Sequence, residues 1–510
     1  MTQKSGRKGA PARPTKYTKR AGEVLSAPPS GEGPAAKIEN LFKDWGGDYK
    51  TPGAAVLVMR DGKVLHEKGY GLIKVDGPER GPEIGPQTVF ELASVSKQFT
   101  AMAVMLLEQK GKLKYTDTLS KYFKFRAPEA QEATILHLLN HRSGLPDYED
   151  VFTSANLIDK HYPRSVRADR GRFEPTVDDV LKMLTEQYEF AFAPDLRYTY
   201  SNSGYVLLAK IIEEVSGKSY PAFMRERIFE PLGMNDTFVY SRSRKPPQDA
   251  ALGYDRGWSS FNEIDYTPLD RIYGDGSIQS NLADMGKWVQ AIDELSSAAP
   301  GGAGGGLPVT PETFQKALAQ AQETDRTGVS YGFGWFIGKA RGLNSRWHSG
   351  SWGGFKTMIM RFPDQKVTVV VLSNVAHLMP TFMTAKVATY YLEDVMDKPQ
   401  TPNVGKKELA RYAKRYTDEN GEAYDVTLEP EPESDGRDAL FLKYSSTFDK
   451  FKLVPVGENV SGEFFIEGLY GFDAFRYILD ERRKIIKVPP RPKVSGRAEQ
   501  KSIRGSRPKY

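Results

Sequence analysis

The chain has 510 residues, no cysteine and a formal net charge of +6. At roughly 100–200 residues per domain, that length implies two or three domains and a large buried core. Zero cysteine excludes disulfides, thiolate metal sites and a thiol nucleophile, and a composition 39% hydrophobic and 27% charged excludes a wholly disordered or fibrous protein.

The charge is unevenly placed. Residues 1–20 hold seven basic residues and no acid, and residues 491–510 hold seven basic residues and one acid. Removing these +7 and +6 tails leaves the rest at −7, which argues against nucleic-acid binding by the body. Residues 1–35 and 491–510 read as disordered basic tails. No apolar segment follows the N-terminal basic residues, so a Sec signal is not expected and the cytoplasm is the expected location. No window approaches 18 continuous apolar residues, so no spanning helix is expected.

Order is expected to begin near Ala36, where Ile38, Leu41, Phe42 and Trp45 recur at helical spacing. Residues 54–59 and 64–71 flank Arg60-Asp61-Gly62, and Asp-Gly between apolar runs predicts a β-hairpin. Val95, Phe99, Met102 and Leu106 mark one helix that stops at Gly111; Tyr205, Leu208, Ile211, Ile212 and Val215 mark another that stops at Gly217. Residues 150–175 read as a surface insertion and residues 296–308 as a flexible loop. Strands 356–362 and 366–372 form a second hairpin around Pro363-Asp364-Gln365, the latter strand so apolar that it must be buried. A helical run over 379–396 ends at Pro399 and Pro402.

Strands at both ends of a helical region predict an α+β domain over 36–398, with one antiparallel sheet flanked by helices and a helical subdomain beside it. A linker is expected at 399–407. Short runs at 424–428, 439–444, 450–456, 462–468, 474–479 and 484–488 then predict a small all-β barrel or sandwich over 408–490.

Three motifs carry candidate chemistry. In Ser94-Val95-Ser96-Lys97 a strand gives way to a helix, and Lys97 falls three positions after Ser94, on the same face. A serine hydroxyl needs something to take its proton, and an amine whose pKa is lowered by burial can do so. In Tyr200-Ser201-Asn202 a phenol beside a lysine can be held as phenolate and act as a base, while the amide orients the group or binds a substrate carbonyl. In His348-Ser349-Gly350-Ser351 glycine permits close approach to a strand whose amides can hold an oxyanion, with His348 a polar group at the cleft rim. Each motif alone also reads blandly: an N-cap serine, an aromatic loop under the core, a glycine-rich turn.

Taken together, in this order and context, the motifs resemble the serine β-lactamase-like, penicillin-recognising hydrolases. The similarity is greatest to the class C β-lactamase, DD-peptidase, D-aminopeptidase and esterase branch. It covers about residues 36–398 and includes the stretches 134–146 and 274–280. The resemblance implies that Ser94 is the acylated nucleophile, Lys97 its activator and Tyr200 the general base. It implies that Asn202 holds Lys97 and the substrate amide, that the main-chain amides of Ser94 and Ser351 form the oxyanion hole, and that His348 and Gly350 line the substrate strand. His348 stands where true β-lactamases carry a lysine, and a histidine is mostly neutral at pH 7. That departure favours D-amino-acid peptides, amides or small esters over β-lactams. A β-lactamase, a DD-carboxypeptidase and a non-catalytic binding member remain the alternatives. The C-terminal region is similar to the lipocalin-like domain that follows some members.

No cofactor is expected. His137 and His141 lie four apart, but no His-Glu-x-x-His arrangement or nearby third ligand accompanies them, so no metal is expected. The expected partner is a small-molecule or peptide substrate, with homo-oligomerisation open.

Overall fold

The computed structural model describes residues 33–46, 51–75, 81–150, 175–240, 247, 249–256, 261–264, 272–299, 301–302, 305–326, 328–397, 404–417, 423–430, 438–444, 450–455, 463–466, 476–479 and 485–488. Residues 1–32 of the predicted tail 1–35, all of the predicted tail 491–510 and most of the insertion predicted at 150–175 lie outside them, while Pro34 and Ala35 already open the first helix, so order begins earlier than expected.

The first hairpin forms as predicted. β1 (Ala54–Arg60) and β2 (Lys63–Tyr70) are joined by Asp61 and Gly62, both at positive φ (49° and 73°), the geometry a two-residue type I′ turn requires. The remaining strands before the C-terminal region are β3 (Phe90–Glu91), β4 (Phe238–Val239), β5 (Tyr254–Arg256), β6 (Phe261–Glu263), β7 (Ile278–Ser280), β8 (Gln322–Glu323), β9 (Ser330–Gly332), β10 (Trp335–Ala340), β11 (Leu343–Trp352), β12 (Phe355–Phe362) and β13 (Val367–Ser373). The main sheet has the order β2-β1-β13-β12-β11-β10-β9-β8. β1 pairs antiparallel with β13, so the two ends of the domain meet in one sheet, as predicted.

The central strands β1, β13 and β12 are buried on both faces, which explains their continuous apolar runs. Along β1, Ala55, Leu57 and Met59 face one core, while Ala54, Val56 and Val58 face the other. β13 divides likewise: Val370 and Leu372 join the first core, and Val367, Val369 and Val371 the second. Strand period two does the sorting.

The helices are α1 (Pro34–Gly46), α2 (Lys97–Gln109), α3 (Ile135–Leu139), α4 (Val177–Thr185), α5 (Asn202–Ser216), α6 (Tyr220–Met224), α7 (Leu282–Ser297), α8 (Pro311–Leu318), α9 (Pro380–Leu392) and α10 (Lys406–Leu409). The first core is helical. Residues 97–107 of α2 are all buried, and Phe99 stacks on Trp288 of α7 at 4.1 Å. Burying each large apolar side chain among them, such as Phe99, Met102 and Leu106, contributes roughly 1.5–3 kcal/mol. Both predicted helix stops are left-handed glycines, Gly111 (φ 66°) and Gly217 (φ 68°). The second core takes Ile38 and Phe42 of α1 and Met383, Val387 and Leu392 of α9. α7 runs to Ser297, so the loop predicted from 296 begins later than expected. No helix among the described residues is long and apolar enough to cross a membrane.

The C-terminal strands are β14 (Arg415–Thr417), β15 (Ala423–Pro430), β16 (Asp438–Tyr444), β17 (Lys450–Pro455), β18 (Glu463–Ile466), β19 (Arg476–Leu479) and β20 (Ile485–Val488). They pair in chain order as an antiparallel meander. The predicted barrel is not reproduced: among the described residues β14 pairs only with β15 and β20 only with β19. Alternation and strand spacing specify a meander. Closure depends on tilt and shear, which those patterns do not encode. Tyr416, Val426, Leu440, Leu442 and Phe464 join the second core, so this sheet packs against the preceding α+β domain.

Candidate active site

The site begins at a sharp turn. β3 ends at Glu91, and Ala93–Ser96 form a 3-10 turn leading directly into α2. Ala93 has φ 48°, a left-handed conformation that costs a non-glycine residue about 1–3 kcal/mol. Ser94 thus lies on this turn and not on the helix, with Lys97 as the first residue of α2. Three contacts hold the turn in place. Ile278 N–H donates to Ser96 Oγ at 3.1 Å, Thr357 Oγ1 donates to the Leu92 carbonyl at 2.7 Å, and β11 lies directly against the turn.

Lys97 is fully buried. Its Nζ donates to Ser94 Oγ at 3.0 Å, to Asn202 Oδ1 at 2.8 Å and to the Asp275 carbonyl at 2.9 Å. It also lies over the Tyr200 ring, 4.9 Å from the centroid. Burial brings its pKa down to about 8, against the opposing pull of Asp275, Asp147 and Glu149. The amine therefore exchanges its proton near neutral pH, beside the serine hydroxyl.

Tyr200 behaves differently from the predicted phenolate. Its hydroxyl is covered and makes no hydrogen bond of ordinary geometry. Burial raises its pKa far above the usual phenol range, although the adjacent Ser94 hydroxyl pulls the other way. Desolvation penalises the anion more than its neighbours stabilise it, so the phenol keeps its proton.

A cavity of about 560 Å³ opens over the turn, with Ser94, Tyr200, Asn202, His348 and Ser351 in its wall. Lys97 lies beneath that wall. Gly350 is not part of it, and serves in packing. A Cβ there would lie 2.3 Å from the Leu92 carbonyl oxygen and 2.3 Å from Thr357 Oγ1. Only glycine lets β11 approach the serine turn this closely. Ser351 Oγ accepts from Lys356 Nζ at 2.5 Å.

His348 is 1% exposed, so it is a buried wall residue and not the rim group expected. Its Nδ1 donates to the Ser349 carbonyl at 2.7 Å, which leaves Nε2 to accept from the Tyr331 hydroxyl at 3.0 Å. Burial, aided by Lys97, lowers its pKa to about 3. The ring is neutral, and both nitrogens are already taken by the protein.

The sequence that builds this site matches a known family. The family model described as Beta-lactamase matches residues 38–390. The chain belongs to the Beta-lactamase family. It is 31% identical over 457 residues to Penicillin-binding protein 4* of Bacillus subtilis (strain 168), covering 85% of this chain and 91% of that one. It is 28% identical over 350 residues to a D-aminopeptidase of Gluconobacter oxydans (strain 621H), covering 67% of this chain and 59% of the relative. Among solved structures it is similar to the octameric penicillin-binding protein homologue from Pyrococcus abyssi, with a TM-score of 0.63 and 25% identity over 88% of this chain and 94% of that one. It shares its fold with the D-amino acid amidase from Ochrobactrum anthropi SV3, with a TM-score of 0.55 and 22% identity over 70% of this chain and 96% of that one.

Sequence reasoning missed the acids of this Beta-lactamase family site. Asp147 Oδ2 accepts from the Asn202 amide at 2.6 Å, and Glu149 Oε1 accepts from Asn202 Nδ2 at 2.9 Å. Tyr148 donates to Asp275 Oδ2 at 2.9 Å, while Asp275 Oδ1 is buried with no partner. Burial, reinforced by the other acids, raises Glu149 to about 7. Burial likewise raises Asp275 to about 6 against the pull of Lys97. The available signal was two acids directly after Ser143-Gly144-Leu145-Pro146, and one between Gly274 and Gly276.

The two histidines weighed as metal ligands have other work. His137 completes the cap of α3 by accepting from Thr134 N–H. His141 Nδ1 accepts from Ser201 N–H at 3.2 Å, and its ring packs 4.2 Å from that of Tyr200. Among the described residues no group of three or more potential ligands surrounds either.

Proposed function

We propose that the protein is a serine hydrolase working through an acyl-enzyme on amide bonds of D-amino-acid peptides and amides, with small esters open to the same chemistry. The observation that carries this reading is the buried Lys97 Nζ, 3.0 Å from Ser94 Oγ with its pKa brought down to about 8.

In the neutral form Lys97 takes the Ser94 proton as Oγ attacks the carbonyl carbon. The oxyanion is held by the main-chain N–H groups of Ser94 and Ser351, the role their motif positions imply. The C–N bond then breaks. The amine leaves with the proton carried by Lys97, relayed by the Tyr200 hydroxyl. Water adds to the acyl-enzyme, its proton returns through Lys97, and the free acid leaves as Ser94 regains its hydrogen.

The acid wall supports substrates with a primary ammonium on the acyl half. Glu149 and Asp275 line the cavity and put carboxyl groups within reach of its contents. The D-aminopeptidase relative, similar over 67% of this chain, supports the stereochemical class. The octameric homologue supports a homo-oligomer, which light scattering would test.

The test is intact-mass analysis after a fluorophosphonate probe, beside turnover of D-phenylalanine p-nitroanilide and its N-acetyl form. One adduct at Ser94 and at least about tenfold faster cleavage of the free amine are expected, with Ser94→Ala inert but folded. Full turnover by Ser94→Ala would sink the mechanism. A folded wild-type protein that takes no probe and cleaves neither substrate would favour a non-catalytic binding member.

A further inference from the structure

Away from the serine cleft, Arg361 is buried in the interior, where a permanent cation is costly unless it is paired. It stands on β12 directly opposite Arg346 of β11. Like charges directly opposite on adjacent strands repel. Arg346 alternates in step with His348, and Arg361 with Ile359, so both point to the face of the sheet that carries the first core.

The acids at hand do not balance the pair. Arg361 Nη2 donates to Asp293 Oδ1 of α7. Asp293 Oδ2 has no partner among the described residues, so this carboxylate does not bridge to Arg346. Asp364, the other acid near Arg346, is exposed and accepts from Asn344 Nδ2 at 2.8 Å. Lys366, near Asp293, is exposed and held by Asp61 at 2.8 Å. Two guanidiniums against one close carboxylate leave a surplus of one positive charge. Donors are left over as well. Arg361 Nε and Nη1 and Arg346 Nη1 are all covered from solvent, and none meets an acceptor among the described residues. A covered N–H without an acceptor loses its water and gains nothing in return, and the loss is greater on a charged group. The Trp335 ring covers one flat face of the Arg361 guanidinium, 5.8 Å from the centroid, so a ligand must meet its edge.

We propose that Arg346 and Arg361 bind a small monovalent inorganic anion between them, chloride in ordinary buffers. One negative charge cancels the surplus and accepts from leftover N–H groups of both side chains. With Arg361 1% exposed, the ligand is a bare ion and not an organic acid with a tail. Arg346 is half-buried, so its side of the pair is the route of entry. A spherical ion accepts from any direction, and guanidiniums on two strands can share it without lying in one plane. Burial, with Arg361 opposite, brings Arg346 down to about 10 against the pull of Asp364, the sign of a potential that an anion relieves. The ion ties β11 to β12 just before His348, and so braces the strand that carries Gly350 and Ser351.

The experiment is thermal unfolding of the full chain in sodium chloride, bromide or gluconate at one ionic strength, for the wild type, Arg346→Met and Arg346→Lys. Arg346→Met removes one cation and leaves the Arg361–Asp293 pair intact. Wild-type Tm is expected to rise by about 2 °C or more from gluconate to chloride, with bromide similar. The rise should vanish in Arg346→Met and survive in part in Arg346→Lys. Wild-type crystals grown in sodium bromide give a reading that needs no variant: an anomalous peak between the two guanidiniums is expected. A wild-type Tm indifferent to the halide, or a rise equally large in Arg346→Met, overturns the site. So does a bromide map whose peaks all lie elsewhere on the protein, which would leave the pair to ordered water.

Discussion

Thr357 and Leu92 stand 265 residues apart in the chain, yet the threonine hydroxyl donates to the leucine carbonyl at 2.7 Å. This bond fastens the central strand β12 to the residue just before the strained serine turn. Gly350 makes it feasible, because its missing side chain clears the space that the carbonyl and hydroxyl occupy.

Gly350→Ala is therefore expected to force β11 away from the turn. The new Cβ would meet backbone on one side and a buried hydroxyl on the other, both at 2.3 Å, so neither neighbour yields cheaply. Overpacking of this kind costs about 1–3 kcal/mol. Displacing one wall of the cavity by about 1 Å should also lower kcat about a hundredfold. Thermal unfolding and turnover of the same preparation check both effects. A variant with wild-type Tm and kcat would refute the packing role.

The main sheet was legible because its strands alternate or run apolar and because Asp61-Gly62 permits one tight turn. Ser94, Lys97, Tyr200 and Asn202 were legible as motif positions, and the structure brings them together. The acids were not. Asp147 and Glu149 look like loop charges until the fold folds them under Asn202. His348 was placed at the rim because its neighbours are glycine and serine, yet Tyr331 and the sheet cover it. The protonation of Tyr200 was also hidden. It depends on desolvation, which appears only when Lys97 of α2, His141, Tyr331 of β9 and His348 of β11 gather around the ring.

Glu149 gives a stability prediction with a definite sign. Its folded-state pKa is about 7, above the ordinary 4.5, so the fold favours the protonated acid. Stability from this group is present at low pH and is lost as pH rises from about 4.5 through about 7. Glu149→Gln keeps an acceptor for Asn202 Nδ2 but never charges. Its Tm should exceed that of the wild type at pH 8, by an amount worth about 1–3 kcal/mol. The gap should close toward pH 5. A gap independent of pH would show that the carboxylate charge is not its source.

Lys97 sets a second pH dependence, in reactivity. With a pKa of about 8, the amine is mostly protonated at pH 6 and mostly free at pH 9. Ser94 needs the free amine, so probe capture should rise almost tenfold per pH unit below 8 and level off above it. A fluorophosphonate without ionisable groups is the right reagent, because its own charge stays constant. A flat rate between pH 6 and 9 would remove Lys97 as the proton acceptor.

Tyr200→Phe then separates the two bases that the sequence offered. If a phenolate took the Ser94 proton, the variant would lose both its rate and the inflection of the pH profile. The raised pKa of the buried phenol predicts otherwise. Acylation should fall by about 10²–10⁴, the contribution of a positioned proton donor or acceptor. The inflection should stay near pH 8, because the titrating amine is still present. The phenol's polar neighbour is the Ser94 hydroxyl, which keeps Lys97 Nζ as a partner when the phenol oxygen is deleted, so no buried group is newly orphaned and Tm should hold or rise slightly. A midpoint that moves by more than a unit in a folded variant would return the role of base to Tyr200.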